Sequence, residues 1–110
     1  MVIPNSTEKL LRERIRETVQ AVEPSAECIL FGSRARGDAR EDSDWDVLVL
    51  VDGEVTDTRK RNIRYALYDL EFEVGEALTS IIKSKERWHY ESTVYNTWLS
   101  QNVVEEGILL

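Results

Sequence analysis

Asp44 and Asp46 stand two residues apart at the head of the run Trp45-Asp-Val-Leu-Val-Leu-Val51. On an extended chain their side chains leave the same face. Two carboxylates so placed repel each other and resist loss of water. A divalent cation removes that conflict, and an oxygen-rich site of this kind suits magnesium or manganese, with substrate phosphates as further ligands. Asp-x-Asp alone is a common ending for a strand in solvent. A second feature gives it weight: Gly32-Ser33 closes the preceding apolar run, Ala26 to Phe31. Glycine there lets the backbone approach a phosphate closely. Successive N–H groups and the Ser33 hydroxyl are suited to cradling terminal phosphates. A Gly-Ser turn after one strand and an Asp-x-Asp on the next converge at one end of a sheet.

Two other phosphate and metal motifs fail on the same residues. Gly32 to Gly37 has the glycine spacing of a P-loop, but Asp38-Ala39 stands where Lys and Ser/Thr are required. Asp42-Ser-Asp44-Trp-Asp46 has the acidity of a calcium loop, but Val47 takes the required Gly position and Gly53 the required Glu.

The elements that position these residues follow from pattern. A capping box on Asn5 and Glu8 opens a helix whose apolar positions are Leu11, Ile15, Val19 and Val22, and Pro24 closes it. Strands are predicted over Ala26–Phe31 and Trp45–Val51, with a polar excursion from Arg34 to Ser43 between them. A helix over Thr58–Asp69 turns Ile63, Ala66, Leu67 and Leu70 inward and carries the basic cluster Arg59-Lys60-Arg61 on an exposed face. A third strand is predicted over Phe72–Ile82, broken or bulged near Gly75. Ser84 caps a short helix holding Trp88. Thr93–Glu106 forms the last helix, with Val94, Trp98, Leu99 and Val103 inward and Gly107 as its C-cap. The order helix, strand, strand, helix, strand, helix makes an α/β or α+β domain with one sheet covered by helices. With 110 residues, a single domain over 1–110 is expected.

Composition narrows the partners. The formal net charge of −7 argues against general nucleic-acid binding, which needs many Lys and Arg against phosphates. It suits a basic protein partner or a site that handles phosphate charge through metal ions. No apolar run approaches a membrane span, and the N-terminus lacks the pattern of a secretory signal, so a cytoplasmic location is expected. The single Cys28 excludes an internal disulfide or a cysteine zinc site and reads as a buried small hydrophobe. The lone His89 reads as a surface or helix-packing residue. Trp88, Tyr95 and Trp98 read as core or interface aromatics.

Leu30-Phe-Gly-Ser-Arg-Ala-Arg-Gly37, ten residues of spacer after Gly-Ser, and then Ser43-Asp-Trp-Asp-Val-Leu-Val49 resemble the minimal nucleotidyltransferases of the polymerase-beta-like superfamily. The resemblance implies that Gly32 and Ser33 hold the triphosphate of ATP, that Arg34 and Arg36 contact phosphate or a partner, and that Asp44 and Asp46 bind Mg2+ or Mn2+. It implies transfer of AMP to a hydroxyl. It also implies an antitoxin-like role in which the acceptor lies on a helical HEPN-domain toxin. The family supplies a third metal carboxylate from strand three. By register Ala77 takes that place, with Glu76 beside it as the catalytic candidate if Gly75 bulges and Glu73 as a weaker one. Two alternatives remain: a degenerate module that binds nucleotide or partner without chemistry, and an aminoglycoside-type transferase acting on a small molecule.

Overall fold

A computed structural model describes residues 6–95 and 97–110. The predicted cap at Asn5 lies outside them. The chain forms a four-stranded mixed sheet with five helices: α1 (Ser6–Val22), β1 (Glu27–Phe31), α2 (Ser33–Arg36), β2 (Trp45–Val51), α3 (Asp57–Val74), β3 (Leu78–Ser84), α4 (Lys85–Val94), α5 (Trp98–Glu106) and β4 (Ile108–Leu109). The strand order is β3-β2-β1-β4. β1 runs antiparallel to β2 and to β4, whereas β2 and β3 are parallel. A parallel pair needs a crossover, and α3 provides it.

β2 is buried on both faces, which is why its sequence is apolar almost without alternation. Trp45, Val47, Val49 and Val51 join Cys28 and Leu30 of β1 under α1 and α3, whose stripes Leu11-Ile15-Val19 and Ile63-Leu67-Leu70 complete the larger core. Leu48 and Leu50 face the other way and pack with Phe31 and Val103, against which Ile29, Ile81, Trp88 and Leu99 rest. Burial raises the Cys28 thiol to about 11, so it is an inert hydrophobe at neutral pH. No described helix is long and apolar enough to cross a membrane.

Three boundaries differ from the sequence-based expectation. α3 runs on through Phe72 to Val74 and stops at Gly75, whose left-handed conformation (φ 72°) and N–H to the Glu71 carbonyl make it a helix C-cap. Gly75 is therefore not a bulge, and β3 starts only at Leu78. The last helix starts at Trp98 rather than Thr93: Thr93 and Val94 end α4, and the Thr97 side chain accepts from the Ser100 N–H to start α5. That break turns Val94 and Trp98 outward, at 55% and 76% exposure, rather than into the core. Gly107 caps α5 as expected, its N–H on the Val103 carbonyl, but its extended backbone (φ −62°, ψ 138°) leads into β4, a two-residue edge strand too short to show in the sequence.

Candidate functional site

The antiparallel register sets Phe31 opposite Asp46. Gly32, the next residue, therefore lies against the Asp46 carboxylate. Its backbone (φ 76°, ψ −159°) is in a region that belongs almost only to glycine, and a Cβ there would run into Asp46 Oδ2. The Gly-Ser turn and the second aspartate are thus one contact, with the glycine required twice over. Gly32→Ala is expected to cost about 1–3 kcal/mol from the backbone conformation alone, and more from displacing Asp46. Urea unfolding of the purified variant measures the loss.

From Gly32 the chain enters α2, with the Ala35 and Arg36 N–H groups on the Gly32 carbonyl. Ser33 stands at its first position, half-buried. Asp44 is exposed just before β2, and Asp46 is half-buried within it. Burial, and then the neighbouring Asp44 charge, raise the Asp46 carboxyl above the usual range, while Arg36 pulls it partly back. The conflict between the paired carboxylates is therefore present in the fold.

The two arginines serve different ends. Arg34 Nε and one terminal nitrogen donate to the Ser43 carbonyl at 3.3 and 3.1 Å, and that nitrogen also reaches the Glu41 carbonyl at 3.2 Å. Its guanidinium lies over the Trp45 ring at 4.9 Å and 3.8 Å from Glu76. Arg34 thus ties the excursion between Gly37 and Asp44 to the sheet, and its donors are directed at protein atoms. Arg34→Ala is expected to cost on the order of 2 kcal/mol, the scale of hydrogen bonds from a charged donor. Faster amide exchange over residues 38–44 would report the released loop. Arg36 pairs with Asp38 at 3.1 Å and with Glu106 at 3.0 Å, and of the two it is the one whose charge acts on Asp46.

The carboxylates proposed from strand three are placed elsewhere. Glu76 pairs with Arg34 and Glu73 with Arg14 at 2.7 Å. Ala77 precedes β3 and receives the Trp45 N–H on its carbonyl. The β3 residue registered against Asp46 is Thr79, and its hydroxyl donates to Asp44 Oδ2 at 3.3 Å. Sequence reasoning missed Thr79 because it ran strand three from Phe72. The signal that finds it is Gly75 read as the end of a helix. Among the described residues no three His, Cys, Asp or Glu side chains gather as a metal-binding group. Two adjacent carboxylates with a hydroxyl beside them still make an all-oxygen donor set of the kind magnesium takes when phosphates supply the remaining ligands.

His89 is exposed on α4. Trp88 packs on the smaller core, and Tyr95 meets Tyr90 edge-to-face at 5.8 Å.

Residues 11–106 match the family described as nucleotidyltransferase domain. Among solved structures, the chain is similar to one described as a toxin-antitoxin with AMP-PNP, at TM-score 0.63 and 21% identity over 88% of this chain and 69% of that one. At that identity the likeness is one of fold. No curated protein matches the chain in sequence.

Proposed function

Because the chain belongs to the nucleotidyltransferase domain family, we propose that it transfers AMP from ATP to a hydroxyl on a partner protein. The observation that carries this reading is the seating of Gly32 on the Asp46 carboxylate with Asp44 beside it. A triphosphate held at the Gly32-Ser33 turn then lies next to both aspartates. The Ser33 hydroxyl and the first N–H groups of α2, which lack intrahelical acceptors, bind the phosphates. Asp44 and Asp46 would hold Mg2+ or Mn2+, which would supply a lowered pKa for the attacking hydroxyl and an offset to the charge on the phosphates. The acceptor oxygen bonds to the α-phosphorus, the bond to the bridging oxygen breaks, and pyrophosphate leaves. The protein's contribution is orientation and fixed charge.

Among the described residues the elements are one sheet and its helices. The partner then brings its own hydroxyl, and an antitoxin role toward a helical HEPN-domain toxin fits that division of labour. The solved neighbour, itself a toxin-antitoxin with AMP-PNP, supports both the nucleotide and the kind of partner. The test is incubation with Mg2+ and ATP in a lysate of the native host, with the label on the α- or the γ-phosphate. Label on a protein band from α-labelled ATP only, absent with Asp44→Asn, is the expected result. Label that survives Asp44→Asn overturns the reading.

Thr79 in place of an acid favours a second reading, a module that binds nucleotide and partner without chemistry. Tight binding of an ATP analogue with no α-label transferred would establish it.

A further inference from the structure

α3 carries two apolar stripes on opposite sides. Ile63, Leu67, Leu70 and Val74 pack into the larger core. Tyr65, Tyr68 and Phe72 point away from it, at 60%, 55% and 95% exposure. With Arg61 they fall at i, i+4, i+7 and i+11, the 4-3-4 spacing with which one helix presents a seam to another. A helix apolar on both sides is ordinarily an interior helix, and here one side has no covering layer among the described residues. The charges of α3 are segregated along its length. Arg59, Lys60, Arg61 and Arg64 lie in its first half, where Asp57 at the first turn is the one acid, and Asp69, Glu71 and Glu73 in its second, which has no basic residue. Lys60, Arg61, Arg64 and Asp69 take part in none of the ion pairs among the described residues.

We propose that this outer face of α3 is the interface of a two-fold symmetric homodimer in which the α3 helices of two copies pack antiparallel. In that arrangement the basic half of one helix lies on the acidic half of the other. Centring the pair between Tyr65 and Tyr68 sets Tyr65 against the second copy's Tyr68. Arg61 then faces its Phe72, a cation beside an aromatic ring, and Arg64 faces its Glu71, the acid on the same flank of the seam. Each contact occurs twice, as an isologous interface requires. A parallel pairing would instead stack basic on basic and acid on acid. The occupant is therefore a second copy of this chain, selected by the helix's own charge order. The site residues lie on the other side of the sheet from α3, so the dimer leaves both sites open.

Sedimentation equilibrium of the full chain tests this. The wild type is expected to dimerise, and Phe72→Glu to raise the dimer dissociation constant roughly thirtyfold or more, the scale of losing a central interface aromatic. Arg64→Glu and Glu71→Arg alone are each expected to weaken the dimer, and the double variant R64E/E71R to restore it, since both copies then carry the exchanged pair. Arg64, Glu71 and Phe72 all lie outside the core, and unchanged far-ultraviolet circular dichroism confirms that the variants fold. A wild type that stays monomeric at all concentrations overturns the proposal, as does a dimer indifferent to Phe72→Glu. Failure of the double variant to recover overturns the antiparallel pairing. Binding of single-stranded RNA to this face by a monomeric chain would do so as well.

Discussion

Asp46→Asn is expected to abolish nucleotidyl transfer and, at neutral pH, to make the protein more stable. The two effects have one cause. Asp46 is half-buried, beside Asp44 and against Gly32, so its charge is held where water solvates it poorly. Asparagine keeps the shape and removes the charge. Transfer should fall by at least a hundredfold, the order reached on losing one fixed charge contact to a transition state. The gain in stability should be under about 1 kcal/mol, because solvent still screens the group. Its sign and pH dependence follow from the raised carboxyl. A group whose folded pKa lies above its unfolded value favours folding when protonated, and that contribution is lost as pH rises through the folded pKa. The wild type is therefore at a disadvantage to the variant at neutral pH. The gap closes as pH falls through the raised pKa of Asp46 and is gone below the unfolded value. Urea unfolding at neutral and acid pH, together with label transfer, measures both halves. An Asp46→Asn protein that is less stable than wild type at neutral pH would contradict the physical account of the pair.

The legible parts of this fold are those where local pattern and tertiary burial agree. β2 was readable to the residue because a strand buried on both faces is apolar almost throughout, Asp46 apart. The Gly-Ser turn and the aspartates stood out together, because Asp-x-Asp is common alone but a Gly-Ser turn closing the preceding strand brings the two to one end of the sheet. Beyond Asp69 the pattern misleads. Phe72 and Val74 look like strand residues, yet Val74 continues the inward helical stripe and Phe72 ends the outward one. An apolar stripe on both sides of a helix weakens the 3.6-residue period and imitates a strand. The two C-terminal helices were both legible, but the start of the second was set at Thr93 rather than Trp98, because apolar spacing does not reveal the cap that the Thr97 side chain makes. Thr79 was missed with the strand boundary, since a strand that begins at Leu78 rather than Phe72 changes which residue meets Asp46.

That correction carries the second large prediction. Thr79 is registered against Asp46 and donates to Asp44, so Thr79→Asp would place a third carboxylate at the pair. Without metal, a third like charge adds to a repulsion already present, and the variant is expected to unfold at lower urea than wild type. With Mn2+ the order should reverse, because three carboxylates hold a cation that two hold only with help from substrate phosphates. Nucleotide-free affinity for Mn2+ is expected to rise by about ten- to a hundredfold, the scale on which even outer-sphere partners change metal affinity. Calorimetric titration with Mn2+ alone, and again with a non-hydrolysable ATP analogue, separates the contributions. The wild type should need the analogue to bind the metal well, and Thr79→Asp should not. If Thr79→Asp leaves metal binding unchanged, then Thr79 does not stand at the third position, and the two aspartates act with a ligand from another part of the chain or from its partner. If it strengthens metal binding and speeds label transfer as well, the wild-type threonine is what keeps this site dependent on its nucleotide, so that a cation is held firmly only when a triphosphate is there to share it.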